Sequence, residues 1–375
     1  MTGADFRPTP SRAEVPLAAM TGVRHHRDPA LPSGGHRTAS VAALAQRLGR
    51  LLPAPAKPGA AYVVPDATLL ASEAAQLGIR GADDLFGGVV PTRVVAGKAI
   101  THPVPRADSP HADGWSRAFA EAVSPHTLAG LSAFSLSDAR VAALGLLRRG
   151  PVRLKPAWTD GGCGQKIVHD AAELDGALAA LELEGLCHCG LVIEQNLADA
   201  ITFSVGSLRL GGHKLAYAGT QSTTTDNAGR VAYGGSRLHF VRGGFGALAD
   251  ADLPDAFRRA AGHARAYDEA ADRHFPGFFA SRRNYDVVLG HDGEGHPCAG
   301  VLEQSWRIGG ASGAELVALK AFAEDAALTA ATTSCHEVYG RAANPPQEAD
   351  VYYHADDPEV GRLTKYAILE SRSHA

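Results

Sequence analysis

The hydrophobic pattern of the chain changes near residue 200, and this change restricts the folds that the chain can adopt. Before it, short apolar segments at 60–65, 151–157 and 190–197 alternate with stretches of helical periodicity. Between 201 and 245 the apolar and polar residues alternate instead with a period of two, which is typical of strands with one covered face. The pattern therefore predicts an α/β part followed by α+β parts.

Length and composition indicate a globular protein with more than one packed unit. The chain has 375 residues, of which 45% are hydrophobic and 20% are charged, so it exceeds one typical core. The formal net charge of -4 gives no electrostatic support for a nucleic-acid partner. No apolar run approaches the roughly 20 residues of a membrane span, and we expect no membrane partner. An odd number of cysteines and no secretory signal favour reduced thiols and a cytoplasmic protein.

The chain divides into five predicted regions. They are a flexible N-terminal arm at 1–38, an N-terminal α/β domain at 39–112, a first α+β unit at 113–190, a second α+β unit at 191–335 and a C-terminal extension at 336–375. Within the N-terminal α/β domain, a further strand is predicted at 92–100.

A glycine-rich segment, WTDGGCGQ, follows a predicted strand that contains Lys155. Gly161, Gly162 and Gly164 have no Cβ, so several backbone N–H groups can approach phosphate oxygens there. Lys155 adds a positive charge for the same phosphates. The spacing matches neither the Walker A motif nor the dinucleotide fingerprint. A phosphate-binding loop and a plain flexible hairpin loop are therefore equal alternatives.

The predicted strand 190–197 ends in the polar residues Glu194 and Gln195, shortly before Leu197. Backbone groups at such an edge can hydrogen-bond an adenine ring, and a carboxylate can contact the ribose or the amino group. A surface strand end with a solvated Glu194 is the alternative.

A predicted β-hairpin carries two carboxylates. If its turn is centred between Glu294 and Gly295, antiparallel pairing places Asp286 directly opposite Glu303. Two carboxylates at that distance repel each other unless a proton or a cation lies between them, and their oxygens suit Mg²⁺. A turn two positions earlier would pair Asp286 with Ala299 instead.

Alternation along the second strand of this hairpin places Ser305 and Arg307 on the same face as Glu303, and points Trp306 toward the core. The pair Arg282-Arg283 either contacts an anionic substrate or is an ordinary solvated pair. The polar segment 219–235 is compatible with a substrate loop and with a plain β-connection.

These pieces in this order resemble the ATP-grasp superfamily: KP, then GGCGQ, then IEQNL, then YDVV and VLEQSWR. The blocks DLFGGVVP, KAITHP, GPVRLKP and LEQSWRIGGASGAE are similar to an uncharacterised family within that superfamily. The likeness covers about 60–370. It implies an α/β and α+β fold in which an N-terminal Rossmann-like domain precedes two α+β subdomains that clasp ATP.

The resemblance also implies ATP and Mg²⁺ as cofactors. The implied reaction joins a small-molecule carboxylate to an amine or thiol acceptor through an acyl phosphate and releases ADP. The site residues that it implies are Lys155 and Arg307 for catalysis; Lys155, Gly161, Gly162, Gly164, Gln165, Glu194, Gln195 and Leu197 for the nucleotide; and Asp286, Glu303 and Ser305 for the metal.

The sequence departs from the superfamily at Ser305, where the metal strand usually carries an asparagine between the acid and the arginine. A hydroxyl is a shorter ligand than an amide carbonyl, so we expect a second Mg²⁺ to be held weakly or through water. Beside the ligase, two alternatives stay open: a nucleotide-binding protein without turnover, and a phosphotransferase on the same fold.

Overall fold

The computed structural model describes residues 22–29, 35–52, 61–159 and 164–374. The described helices are α1 (His36–Leu51), α2 (Ala71–Gln76), α3 (Arg117–Val123), α4 (Leu136–Leu147), α5 (Ala171–Ala179), α6 (Leu183–Cys189), α7 (Phe245–Asp250), α8 (Asp255–His274) and α9 (Ser312–Glu324). The strands are β1 (Val23–His26), β2 (Tyr62–Pro65), β3 (Leu69–Leu70), β4 (Gly88–Val90), β5 (Gly130–Ala133), β6 (Val152–Pro156), β7 (Lys166–Val168), β8 (Leu191–Gln195), β9 (Ala198–Leu210), β10 (His213–Thr225), β11 (Val231–Arg242), β12 (Phe279–Ala280), β13 (Arg282–His291), β14 (Pro297–Ser305), β15 (Leu328–Tyr339), β16 (Asp350–Asp357) and β17 (Gly361–His374).

The N-terminal part contains short parallel strand pairs. β1 pairs with β2 and β3 pairs with β4, in both cases in parallel. The predicted strand at 92–100 is wrong, because this segment forms two 3₁₀ turns, Arg93–Ala96 and Lys98–Ile100. The apolar residues that suggested a strand, Val94, Val95 and Ile100, pack into a core from these turns. A short apolar run shows only that a segment is buried, and it does not distinguish a buried turn from a buried strand.

The predicted arm is wrong for its C-terminal part, since β1 belongs to a sheet and α1 begins at His36. His25 lies 2.6 Å from a carboxylate oxygen of the buried Asp66, directly after β2. A four-residue strand between Pro- and Gly-rich segments has too short a pattern to be recognised before its distant partner is known.

The first α+β unit is an antiparallel sheet with the strand order β5-β8-β6-β7. The apolar faces of α4 and α5 pack with Leu154 and Ile193 of this sheet. β8 therefore belongs to the first unit, and the predicted boundary at 190/191 lies before the last strand of that unit. α5 begins as its sequence indicates, with the Asp170 side chain accepting the backbone N–H groups of the first turn.

The second unit is an antiparallel sheet of eight strands in the order β14-β13-β9-β10-β11-β15-β17-β16. Tyr217 on one face of β10 packs with α9, and its neighbours Ala216 and Ala218 face α8 on the other side. β15 crosses the predicted boundary at 335/336, and β16 and β17 extend the same sheet. The segment 336–375 is therefore not a separate extension in its described residues.

The three parts of the chain meet at β14. Thr127, next to the first unit, forms a parallel bridge to Val301. From the turn segment 93–103, which we call the bridging segment, Val95 and Gly97 accept hydrogen bonds from the Gln304 side chain at 3.2 and 2.8 Å. Groups from all three parts therefore meet around β14. Within the described residues, no helix has the length and apolar character to cross a membrane.

Candidate functional site

The hairpin of β13 and β14 pairs Asp286 with Glu303, as predicted, but through a different turn. The loop 292–296 is centred on Glu294, and its Asp292 side chain accepts backbone N–H groups from within the loop. That turn alone would place Leu302 opposite Asp286. A β-bulge next to Asp286 leaves Leu302 unpaired and restores the Asp286–Glu303 pair.

The bulge brings a backbone carbonyl toward the first unit. Lys155 Nζ on β6 donates to Leu302 O at 3.2 Å and lies 2.8 Å from Glu194 Oε1 on β8. Lys155 is only 2% exposed and Glu194 only 1%. The structure therefore places the predicted phosphate lysine beside the acid hairpin.

Glu194 is the buried counter-ion of Lys155. Its second carboxylate oxygen lies 3.3 Å from His102 Nε2 of the bridging segment. Burial by itself raises the pKa of Glu194, but Lys155 and His102 outweigh burial and hold this pKa at about 2. The His102 ring packs directly on Gly130, where a Cβ would come within 2.7 Å of it. The adenine contact of Glu194 stays a prediction.

Asp286 and Glu303 form an acid pair that is short of positive charge. Asp286 Oδ1 accepts a hydrogen bond from Gln221 Nε2 at 2.7 Å. Burial and the neighbouring Glu303 carboxylate raise the pKa of Asp286 to about 7. Two carboxylates paired on adjacent strands offer hard oxygen donors, which are the ligands that Mg²⁺ prefers. The residues present therefore fit Mg²⁺.

Replacing Asp286 by asparagine is expected to stabilise the metal-free protein at high pH. Between about pH 4 and pH 7 the folded state holds a proton on Asp286 that the unfolded state has released, so stability declines as pH rises through this window. Asp286→Asn removes the repulsion and keeps an oxygen for Gln221. We expect the free energy of unfolding of the variant at pH 8 to exceed that of the wild type by about 1–2 kcal/mol. This value allows for solvent screening, because Asp286 is partly exposed.

Urea unfolding in a chelator at pH 4 and pH 8 measures this difference, which should shrink toward pH 4. The matched control is Asp250→Asn, at an exposed aspartate, which should leave the pH dependence unchanged. A variant that is less stable than wild type at pH 8 would contradict the raised pKa of Asp286.

Lys98 is a site residue that the sequence reasoning missed. Its Nζ lies 2.7 Å from Glu303 Oε2 and donates to Thr159 O at 3.1 Å, and the residue is 5% exposed. Lys98 and His102 both come from the block KAITHP of the bridging segment. The sequence feature that could have identified Lys98 is its position as the one lysine within the apolar run VVAGKAI. A lysine is rarely buried without a partner, so this pattern indicates a buried ion pair.

Ser305 and Arg307 lie at the end of β14. Ser305 pairs with Asn284 of β13, and its Oγ accepts from Arg282 Nη1 at 3.3 Å. Arg307 Nη1 donates to Ile308 O at 2.9 Å. Trp306 between them is buried in the core, as predicted.

Arg282 is a buried structural residue, so both alternatives for it, substrate contact and solvated pair, are wrong. It is 1% exposed and forms a 2.8 Å ion pair with Glu315 of α9, which is 0% exposed. Its guanidinium also donates to the backbone carbonyls of Ser305 and Arg307. This ion pair therefore fixes the end of β14.

The remaining predicted nucleotide residues lie along the edge of the first unit. Gln165 accepts a hydrogen bond from Arg153 at 3.2 Å, and Gly164 has a φ of +70°. The backbone N–H of Gln195 donates to a carbonyl before β5, and Leu197 packs in a small apolar cluster. Their nucleotide contacts stay predictions. Gly161 and Gly162 lie outside the described residues.

Several solved structures are similar to this chain, all at low sequence identity. Carboxyaminoimidazole ribonucleotide synthase from Aspergillus clavatus, complexed with ATP, is 12% identical over 93% of this chain and 94% of that chain, with a TM-score of 0.48. Phosphoribosylamine–glycine ligase from Thermotoga maritima is 12% identical over 93% and 98%, with a TM-score of 0.46. Such values carry no argument about activity.

A third structure, the ADP complex of N5-carboxyaminoimidazole ribonucleotide synthetase, is 14% identical with a TM-score of 0.42. Its alignment covers 68% of this chain and 66% of that chain, just under two thirds of the latter. No curated protein is significantly similar in sequence to this chain.

The described arrangement of units agrees with the ATP-grasp fold that the sequence resemblance implies. A small antiparallel α+β unit that carries Lys155 closes against a large antiparallel sheet that carries the acid pair, and the N-terminal part contributes the bridging segment. The sequence blocks predicted an uncharacterised family within this superfamily. A single family model matches residues 23–367, and the chain belongs to that family, which is described as "Protein of unknown function (DUF3182)".

Proposed function

We propose that the protein is an ATP- and Mg²⁺-dependent ligase that joins a small-molecule carboxylate to an amine or thiol through an acyl phosphate. The observation that carries this proposal is the contact between the two units at β14. Lys155 of the first unit donates to Leu302 O, directly before the metal acid Glu303 of the second unit. A phosphate-binding cation and a metal-binding acid pair are thus neighbours.

The chemistry of phosphoryl transfer needs positioning and charge neutralisation more than a side-chain nucleophile. Mg²⁺ held by Asp286 and Glu303 would neutralise the negative charge of the ATP phosphates. Among the described residues, Lys155 uses two of its three donors, on Glu194 and Leu302, so one N–H can point to a phosphate oxygen.

Arg307 is the cation nearest in sequence to the end of the metal strand. Arg282 holds its backbone carbonyl, so the start of the 307–311 turn has a fixed position. In this proposal the Arg307 guanidinium meets the transferred phosphoryl group or the acyl phosphate, where a planar guanidinium can bind two oxygens at once.

The segment 219–235 borders the cleft only at its base. It forms parts of β10 and β11 and the turn between them, and Gln221 at the base contacts Asp286. Asn227 at the tip donates to Val360 O at 2.6 Å, in the turn between β16 and β17. In this proposal the base contributes to the metal site, and the tip is a structural contact.

The second candidate is a nucleotide-binding protein without ligase turnover, and two ion pairs support it. Lys155 is already paired with Glu194 and Lys98 with Glu303, so these two lysines have acidic partners before a nucleotide binds. A phosphotransferase on the same fold would share these contacts and would release a phosphorylated product.

Hydroxylamine trapping separates these functions. The protein is incubated with ATP, Mg²⁺, hydroxylamine and a panel of small carboxylates. A ligase gives ADP, phosphate and a hydroxamate, because hydroxylamine attacks the acyl phosphate and displaces its phosphate. A phosphotransferase gives ADP and a phosphorylated compound. We expect Glu303→Gln to lower ADP formation by about 100-fold or more, because one metal ligand loses its charge.

The matched control is Glu294→Gln, in the exposed turn of the same hairpin. It should form ADP at the wild-type rate. ATP binding without ADP formation across the whole panel would favour the second candidate, and the absence of ATP binding would rule out both.

A further inference from the structure

Lys98 lies directly beside Glu303, one of the two carboxylates of the acid pair. Its ammonium is 2.7 Å from Glu303 Oε2 and is also held by Thr159 O, so its position is fixed from two directions. The residue is 5% exposed, and it enters from the bridging segment, outside both α+β units. Held in this way, the Lys98 Nζ places a compact cationic group directly beside Glu303, one of the two acids of the pair.

Ser305 is also engaged by a positive group. Its Oγ accepts from the Arg282 guanidinium at 3.3 Å. Arg282 itself is anchored by Glu315 and by the carbonyls of Ser305 and Arg307, so it cannot leave without breaking a buried network. A metal ion at Ser305 would therefore lie against a fixed guanidinium, while a metal ion on the Lys98 side of Glu303 would lie against a fixed ammonium.

We propose that the Lys98 ammonium takes the place of a second Mg²⁺ at the acid pair, so that a nucleotide binds here with one divalent cation. This inference rests on the proposed function, since it presupposes a metal–nucleotide complex in the cleft. Glu303 is already paired with the Lys98 ammonium at 2.7 Å. One divalent cation can still bind the other oxygens of the acid pair, whereas a second would meet Lys98 at close range in a partly buried site.

This role also accounts for serine in place of asparagine at position 305. An asparagine carbonyl would serve as a ligand for a second metal ion, and a site that holds one metal ion and one ammonium does not need that ligand. Serine at position 305 and the lysine at position 98 are thus both explained by a site that holds a single metal ion.

Mn²⁺ counting by electron paramagnetic resonance tests this inference. Protein is saturated with a non-hydrolysable ATP analogue, and bound Mn²⁺ is counted against bound nucleotide. We expect one Mn²⁺ per nucleotide for wild type and for Lys98→Arg, which keeps the charge. We expect two for Lys98→Met, with the second Mn²⁺ at least about tenfold weaker than the first.

Two further variants separate Lys98 from its surroundings. Ser305→Asn restores the asparagine ligand but leaves Lys98 in place, so this variant should still bind one Mn²⁺. It tests whether Lys98 excludes a second Mn²⁺ even where Lys98→Met folds poorly. Lys320→Met, at an exposed lysine of α9, is the matched control and should also bind one.

Two Mn²⁺ ions on wild type or on Ser305→Asn, or a single Mn²⁺ on folded Lys98→Met, would overturn the inference and leave the proposed function intact. Failure of the analogue to bind at all, measured separately by calorimetry, would instead overturn the proposed function and this inference with it.

Discussion

Lys155→Met is expected to lower both the stability of the protein and its affinity for ATP, and a second substitution, at Glu194, should restore only the stability. Without Lys155, Glu194 is left buried and ionised beside His102. Breaking a buried ion pair from one side costs about 3–5 kcal/mol, which urea unfolding would measure. The affinity for ATP should fall by about 10–100-fold, because a charge-assisted hydrogen bond to a phosphate is lost.

The double variant Lys155→Met/Glu194→Gln separates the two effects. Its neutral amide can still bind His102, so most of the stability should return, while ATP affinity should stay low. Lys214→Met, at an exposed lysine of β10, should change neither quantity. Wild-type ATP affinity in the double variant would show that Lys155 is structural and does not contact the phosphates.

Glu315→Ala is the second substitution with a large expected effect. It leaves the Arg282 guanidinium buried without its carboxylate and removes the acceptor of the Tyr217 hydroxyl, at 2.6 Å. We expect the free energy of unfolding to fall by about 3–5 kcal/mol. Glu324→Ala, on the same helix but exposed, should stay within about 0.5 kcal/mol of wild type.

The pair Arg282→Met/Glu315→Leu tests what this ion pair does for the site. Apolar residues of similar volume should recover most of the stability, since a buried ion pair is often no more stabilising than apolar packing. The carbonyls of Ser305 and Arg307 nevertheless lose their donor, so ADP formation should stay below wild type. A double variant with full activity would show that the end of β14 does not depend on Arg282.

The acid pair could be predicted from the sequence because a hairpin is a local structure. Asp286 and Glu303 are separated by one turn, and period-two alternation then places Ser305 on the same face. The predicted centre of the turn, between Glu294 and Gly295, lies half a residue from the observed centre at Glu294. The bulge at Leu302 nevertheless places Asp286 opposite Glu303, as predicted. A bulge cannot be predicted from alternation alone, since it is stabilised by contacts such as that of Lys155 with the freed carbonyl.

The sequence by itself determined the α/β and α+β pattern, the position of the lysine before the glycine-rich segment, and the two acids on the hairpin. These follow from periodicities and spacings within about 20 residues. Only the tertiary structure decided which charges meet. Lys98 reaches Glu303 and His102 reaches Glu194 across separate parts of the fold, and Arg282 is buried because α9 brings Glu315 to it. Such pairs depend on long-range packing, which leaves no periodic signal in the chain.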